Sequence, residues 1–108
     1  MDVFYALAEP RRRRIIGLLA SNGKLSATEI CSRFDVTAQA ISQHLRVLLD
    51  ANLVRMEKHA QQRIYRLNPK SISEVEKWVK LTERIWNQRL DRLDGLLEAE
   101  KKKNAKKR

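Results

Sequence analysis

Apolar residues recur at helical spacing along the first part of the chain. Val3, Phe4 and Leu7 form a short apolar stripe that predicts a first helix. Pro10 then opens a second helix, written "PRRRRIIGLLAS", because proline suits a first turn, where its missing N–H costs nothing. Gly23 ends it, since glycine readily adopts the left-handed conformation that follows many helices. The chain therefore begins with two helices.

A capping box marks the start of a third helix. Ser26 and Glu29 stand three residues apart, so that each side chain can accept a hydrogen bond from the backbone N–H of the other. Apolar residues follow at i, i+3, i+4 and i+7, which predicts one buried stripe. The stripe consists of Ala27, Ile30, Cys31 and Phe34.

The stretch "TAQAISQHLRVLLDANLV", residues 37–54, begins with a fourth helix, at about residues 37–50. Thr37 is a typical N-cap, and Asn52 is a typical left-handed stop. A break of about three residues, "DVT", separates this helix from the third, which is the spacing of a helix-turn-helix. Its apolar positions, at i, i+4, i+7 and i+8, are Ile41, Leu45, Leu48 and Leu49.

The segments "LVRMEK" and "RIYRL" alternate apolar and polar residues and predict a β-hairpin, or wing, at about residues 53–67. Its loop is expected to contain the four residues "HAQQ". Pro69 and a second capping box, Ser71 with Glu74, then open a last helix that extends to about residue 100. At 1.5 Å per residue this helix would be about 45 Å long. A small domain cannot cover such a length, so its apolar face is expected to pack on a second copy of the chain.

The polar side of the fourth helix carries hydrogen-bonding side chains. Gln39, Gln43 and Arg46 lie opposite the leucines, at i, i+4 and i+7. Glutamine can bond adenine in bidentate fashion, and arginine can bond guanine or a phosphate. A merely solvated face is the alternative, but the helix-turn-helix context favours DNA contact. The candidate DNA-binding residues, with two at the hairpin tip, are Thr37, Gln39, Ala40, Ser42, Gln43, His44, Arg46, Gln62 and Arg63.

The order helix, helix, helix-turn-helix, hairpin, long helix is a winged helix-turn-helix: mainly α, with a small β-hairpin wing and a long C-terminal dimerisation helix. The 108 residues suit one domain over residues 1–100, with a basic tail, 101–108, expected to be disordered. The net charge of +10 says little, because that tail holds six of the 23 Lys and Arg residues. The run "RRRR", residues 11–14, points in four directions on a helix, so one arginine could contact a phosphate but all four could not.

Four segments resemble the ArsR-type transcriptional repressors: "FYALAEPRRRRIIGLLA", "EICSRFDVTAQAISQHLRVLLDANLV", "RIYRL" and "WVKLTERIWNQRLDRLDGLL". The match covers about residues 2–97. The resemblance implies a homodimer that pairs through its first and last helices and offers both recognition helices to one DNA duplex. The residues expected at that interface are Val3, Phe4, Leu7, Trp78, Ile85, Trp86, Leu90, Leu93 and Leu97.

The chain keeps only one of the two cysteines of that family's metal site. Cys31 falls on the first cysteine of its Cys-x-Cys pair, but Arg33 stands at the second. A single thiol beside a cation is a poor soft-metal site, so no metal ligand is assigned and a buried thiol is favoured. A metal- or redox-responsive sensor that uses Cys31 stays an alternative, as does a helical interaction module without a DNA role.

Other function classes have little support in the sequence. The single cysteine, two histidines and absence of a glycine-rich phosphate loop suggest no enzyme, and no cofactor is expected. No apolar run approaches the roughly 20 residues that cross a bilayer, so no membrane contact is expected. The single cysteine suits a reducing cytoplasm. The expected partners are double-stranded DNA and a second copy, and the sequence identifies no effector.

Overall fold

The computed structural model describes residues 2–106, with side chains described over residues 2–102. The chain forms two units, Met1–Glu74 and Val75–Arg108, and each is described by itself. The helices and strands are α1 (Val3–Leu7), α2 (Pro10–Asn22), β1 (Lys24–Ser26), α3 (Ala27–Cys31), α4 (Ala38–Asp50), β2 (Val54–His59), β3 (Gln62–Leu67) and α5 (Pro69–Lys106).

Two capped helices open the first unit, as the sequence predicts. The Asp2 side chain accepts a hydrogen bond from the N–H of Phe4 at 3.2 Å and caps α1. Glu9 accepts one from the N–H of Arg12 at 3.1 Å and caps α2. Gly23 ends α2 with a φ of 83°, which is accessible to glycine because it lacks a Cβ.

The capping box predicted at the start of α3 is confirmed. The N–H of Glu29 donates to Ser26 Oγ at 3.1 Å, and the N–H of Ser26 donates to Glu29 Oε1 at 3.2 Å. The predicted extent of this helix is wrong, because α3 ends at Cys31 and Phe34 lies beyond it. The N–H of Phe34 bonds the Cys31 carbonyl at 3.2 Å, an i→i+3 bond that tightens and ends the helix. The link to α4 therefore spans residues 32–37 rather than about three residues.

The wing belongs to a three-stranded antiparallel sheet with the strand order β1-β3-β2. The sequence predicts only the hairpin of β2 and β3, so β1 is a correction. β1 places Leu25 opposite Tyr65, and both side chains are buried. Three residues are too few to show an alternating pattern, and they overlap the helix cap at Ser26. Through β1, the sheet holds the start of α3 against the wing.

The hairpin turn is tighter than the sequence predicts. His59 pairs with Gln62, so that the loop consists of Ala60 and Gln61 and the predicted four-residue loop is wrong. Ala60 adopts a φ of 57°, which costs a residue with a Cβ roughly 1–2 kcal/mol. Positive φ in a two-residue loop matches the twist of the paired strands. Strand pairing, rather than the residue type at position 60, therefore determines this turn.

One apolar core fills the first unit. Asn52, with a φ of 59°, turns the chain from α4 towards β2 as predicted. After this turn the chain runs back over the same core that α4 covers. The buried apolar residues are Ala6, Ile15, Leu19, Leu25, Ile30, Ile41, Leu45, Leu48, Ala51, Leu53, Val54 and Tyr65.

Asn68 caps α5, so the capping box predicted at Ser71 and Glu74 is wrong. Asn68 Oδ1 accepts a hydrogen bond from the N–H of Lys70 at 3.3 Å. Its Nδ2 donates to the Asn52 carbonyl at 2.8 Å and to Ser71 Oγ at 3.3 Å. Ser71 is buried inside the first turn of the helix. Asn68 therefore joins the start of α5 to the turn that follows α4.

The second unit is the remainder of α5, which continues to Lys106 instead of ending near residue 100. Lys80 Nζ lies 2.7 Å from Glu76 Oε1, an i,i+4 ion pair on the helix surface. Among the described residues, no helix is both long enough and apolar enough to cross a membrane. The large apolar side chains exposed along this unit are Trp78, Val79, Leu81, Ile85, Trp86, Leu90, Leu93, Leu96 and Leu97.

Candidate nucleic-acid interface

Helix α4 has one buried face and one exposed face. Ile41, Leu45 and Leu48 are at most 2% exposed and pack into the core. Their spacing places them on one side of the helix, so the intervening polar residues must lie on the other. The exposed polar residues of α4 on that other side are Gln39, Ser42, Gln43 and Arg46.

The first turn of α4 presents three of the predicted residues. Thr37 is the N-cap, as predicted, and its Oγ1 accepts a hydrogen bond from the N–H of Ala40 at 3.1 Å. Its hydroxyl hydrogen can still be donated elsewhere. Gln39 is exposed and Ala40 is half-buried. Of the three, Thr37 and Gln39 present polar side chains at the N-terminal end of the helix.

A groove of about 410 Å³ lies between α4 and the wing. Ser42, Gln43 and Arg46 line it from α4, and Arg63 lines it from β3. The structure thus brings four of the predicted DNA-binding residues together from two separate elements. The other residues that line the groove, most of them apolar, are Ala27, Leu45, Leu49, Asp50, Met56 and Tyr65.

Lys58 is a second cation on the face of the wing that carries Arg63, and the sequence prediction missed it. Lys58 is the cross-strand partner of Arg63, and directly opposite residues in an antiparallel pair share one face of the sheet. Alternation along β2 places Lys58 on the same face as Met56, which lines the groove. The available signal was the alternation in "MEK". Gln62 pairs with His59 and precedes Arg63 along β3. Its side chain therefore lies on the face of the sheet opposite to that of Arg63.

His44 lies beside the exposed face and contacts α2. Its side chain is 16% exposed. Its Nδ1 lies 3.4 Å from Nη1 of Arg12 and 3.9 Å from Oε2 of Glu9. The sequence analysis placed His44 among the candidate DNA-binding residues. In this structure one ring nitrogen faces α2, so only the other ring nitrogen can serve a DNA contact.

The four arginines at the start of α2 take four different positions, as expected. Arg11 is exposed, whereas Arg12 is buried against α1 and α4. Arg13 donates to a carbonyl of α1 at 2.7 Å, and the guanidinium of Arg14 lies 4.6 Å from the ring centre of Phe34. Three of the four arginines therefore have contacts within the first unit.

Cys31 is the last residue of α3, and its side chain is half-buried. Over the part of the chain that the structure describes, no group of three or more His, Cys, Asp and Glu side chains lies close enough to hold a metal ion. Cys31 does not line the groove between α4 and the wing.

The residues predicted at a dimer interface lie on both units. On α1, Phe4 is exposed, while Val3 and Leu7 are half-buried against the core. Tyr5 is also exposed, although the prediction did not include it. The prediction likewise omitted the exposed Leu81 and Leu96 of α5, which are apolar residues in the same long helix. The predicted α5 residues, all exposed, are Trp78, Ile85, Trp86, Leu90, Leu93 and Leu97.

The carboxylate of Glu9 lies beside His44 and Arg12, and this arrangement shifts its pKa. Partial burial raises its pKa, but the backbone N–H groups of Arg12 and Arg11, together with the charges of His44 and Arg12, outweigh that effect. The pKa of Glu9 therefore lies below its ordinary value of 4.5.

The chain is similar to bacterial transcriptional regulators. A family model for a helix-turn-helix domain matches residues 7–57. The chain is 36% identical to an arsenical resistance operon repressor of Bacillus subtilis, over 65% of this chain and 67% of the relative. It is 37% identical to the transcriptional activator HlyU of Vibrio cholerae, over 77% of this chain and 73% of the relative. An ArsR-like transcriptional regulator from Rhodococcus sp. RHA1 matches with a TM-score of 0.77 at 27% identity, over 90% of this chain and 88% of that structure.

Replacing Glu9 by Gln should remove a pH-dependent contribution to stability. Because the pKa of Glu9 is lowered on folding, its ionised form stabilises the folded state above pH 4.5, and this stabilisation is lost as the pH falls through the folded-state pKa. The difference in unfolding free energy between the two proteins, measured by urea denaturation, should therefore shrink as the pH falls below 4.5. A difference that stays constant from neutral to acid pH would contradict this role.

Proposed function

Because this chain belongs to the ArsR family of helix-turn-helix transcriptional regulators, we propose that it binds an inverted-repeat operator as a homodimer and represses transcription from it. Members of this family are DNA-binding regulators rather than enzymes. The observation that carries the finer proposal is the groove between α4 and the wing, where Gln43, Arg46 and Arg63 meet.

The exposed face of α4 supplies the base-reading groups. A recognition helix enters the major groove with its N-terminal residues closest to the base edges. Thr37, Gln39 and Gln43 therefore lie best for bases, and a glutamine amide suits adenine N6 and N7. Arg46 lies further along the helix and suits guanine or a phosphate. We assign Ala40 and Ser42 supporting contacts to DNA from the same side of α4.

The wing supplies phosphate contacts. Lys58 and Arg63 are directly opposite each other in the hairpin, and like charges in that arrangement destabilise a strand pair. A phosphate between or beside them offsets the repulsion. We therefore assign both residues to the DNA backbone beside the groove that α4 enters, and Gln62 to the other face of the wing tip.

The apolar face of α5 supports the homodimer. At about 100° per residue, Val79, Trp86, Leu90, Leu93 and Leu97 fall within one narrow stripe, and all are exposed. An apolar surface of this length is typical of a protein interface. A second copy has the same stripe, and self-complementary pairing is the commonest route to a dimer. We propose that α1 contributes Val3, Phe4 and Leu7 to the same interface.

The homodimer determines the form of the operator. Two recognition helices related by a two-fold axis read half-sites of opposite orientation, about one helical turn or roughly 34 Å apart. A dimer bound over a promoter blocks transcription by occupancy, and the arsenical resistance operon repressor that this chain resembles is named for repression. Because duplex DNA and a reduced Cys31 both suit the cytoplasm, we place the protein there.

Selection from random DNA tests this function. The full chain should enrich an inverted repeat whose half-sites lie about one helical turn apart. The selected sequence, placed over a reporter promoter, should lower expression when the protein is produced. Failure to enrich any sequence would overturn operator recognition, whereas raised expression would leave recognition intact and reverse the proposed direction of control.

Replacing Gln43 by Ala should weaken operator binding more than binding to random duplex. The lost base contact should cost the operator complex about 1–3 kcal/mol, or roughly 5–150-fold in affinity. Arg63→Ala is the matched contrast, because it should weaken both complexes by a similar factor. It should also reduce the slope of log affinity against log salt concentration by about one. Titrations at several salt concentrations give both quantities. Equal losses on both duplexes for Gln43→Ala would make Gln43 a positioning contact.

Replacing Leu93 by Glu should convert the dimer to a monomer, because a carboxylate would have to be buried in an apolar interface without a partner. Light scattering after gel filtration measures the mass directly. Asn87→Glu adds the same charge about 120° away around α5 and should leave the dimer intact. Dimers of both variants would show that the stripe is not the interface, and monomers of both would show a general charge effect.

A further inference from the structure

Arg12 links the first helix of the chain to the recognition helix. It is 9% exposed, although it is an arginine. Its Nε donates to the carbonyl of Ala6 at 2.7 Å, and its Nη2 donates to the carbonyl of Tyr5 at 3.2 Å. Its remaining nitrogen, Nη1, lies 3.4 Å from Nδ1 of His44 on α4. One side chain therefore joins the end of α1 to the middle of α4.

Helix α1 depends on such contacts because it has only five residues. Isolated helices of this length are unstable in water, and the last carbonyls of any helix have no partner within it. Arg12 donates to two of these carbonyls, of which that of Tyr5 also accepts from the N–H of Ala8 at 3.2 Å, and Arg13 donates to a third, that of Leu7, at 2.7 Å. The two arginines therefore hold α1 on the body of the first unit.

The contact with Arg12 determines where the neutral His44 ring carries its proton. A guanidinium can only donate hydrogen bonds, so His44 Nδ1 must be the acceptor and the proton must be on Nε2. Glu9 Oε2 would favour the opposite tautomer, but it lies 3.9 Å away, beyond hydrogen-bond distance. Arg12 is closer, at 3.4 Å, and its contact therefore prevails.

We propose that Arg12 is a positioning residue for DNA recognition, which acts by fixing α4 to α1 through His44 and by keeping the His44 proton on Nε2. In this state the Nε2–H of His44 is a donor that suits a DNA phosphate. The proposal rests on the proposed DNA-binding function, and it adds a coupling between α1 and α4. Because α1 exposes Phe4 and Tyr5, a partner that covers α1 also steadies the recognition helix.

This coupling is reciprocal. If pairing through α1 stabilises the DNA-binding position of α4, DNA must stabilise pairing by the same factor. Couplings between sites are typically on the order of 5–150-fold in affinity. Loss of the Arg12 link should therefore lower operator affinity within that range, although every side chain proposed to contact DNA is still present.

Arg13 provides a matched control. It lies next to Arg12 on α2 and also donates to a carbonyl of α1, but its hydrogen bonds within the described chain do not reach α4. Arg13→Met removes a support of α1 alone, whereas Arg12→Met removes a support of α1 and the contact with His44. Methionine retains much of the apolar stem in both variants.

The first measurement is the tautomer of His44 in the full chain without DNA, from imidazole nitrogen chemical shifts at about pH 8, where histidine is ordinarily neutral. His44 should carry its proton on Nε2 in the unmodified chain and in Arg13→Met. In Arg12→Met, the carboxylate of Glu9 still faces Nδ1, and the proton should move to Nδ1. A proton on Nδ1 in the unmodified chain, or an unchanged tautomer in Arg12→Met, would overturn the proposal.

The second measurement is operator affinity. Arg12→Met should lose on the order of 5–150-fold, and Arg13→Met should lose much less. Equal losses in the two variants would reduce Arg12 to a structural support of α1. If Arg12→Met does not fold, the tautomer of the unmodified chain still decides whether the link exists. If the unmodified chain binds no operator, the proposed function fails while the tautomer result still stands.

Discussion

Ile41, Leu45 and Leu48 fix the rotation of α4 about its own axis. Each of these side chains gains about 1.5–3 kcal/mol from burial, and all three lie on one face. A rotation large enough to hide Gln39 or Gln43 would expose them to water. The polar face of α4 is therefore exposed as a consequence of core packing. The groove follows from the same constraint, because the sheet carries Tyr65 and Met56 against the same helix.

Helix α5 obeys the opposite constraint. Over residues 78–97 its large apolar side chains remain exposed, and a helix with an uncovered apolar face is stabilised only when another surface covers it. The first unit has a complete core of its own, whereas the proposed homodimer would give α5 stability through association. In the proposed function, α4 and the wing recognise DNA while α5 and α1 carry association, and Arg12 and His44 provide a route by which association at α1 reaches α4.

The sequence predicted the features that depend on repeated or local signals. The caps at Thr37 and Ser26, the two faces of α4 and the hairpin pairing all follow from spacing or from neighbouring residues. The rest depended on contacts between distant segments. β1 has only three residues and forms because β3 offers an edge. Asn68 caps α5 while it also bonds the Asn52 carbonyl, a contact that no local pattern shows. Strand register alone places Lys58 on the face of the hairpin that lines the groove.

The arginine run shows why charge is a poor guide to a nucleic-acid surface. A sequence of four arginines suggests a phosphate patch, yet Arg12, Arg13 and Arg14 contact α1, α4 or Phe34 within the first unit. The wing has the same number of cations, and two of them, Lys58 and Arg63, are opposite each other on one exposed hairpin. A cation that already has carbonyl partners has little to offer a phosphate. Two like charges held together by strand pairing gain most from an anion, so the geometry of the partners, rather than the count of arginines, points to the wing.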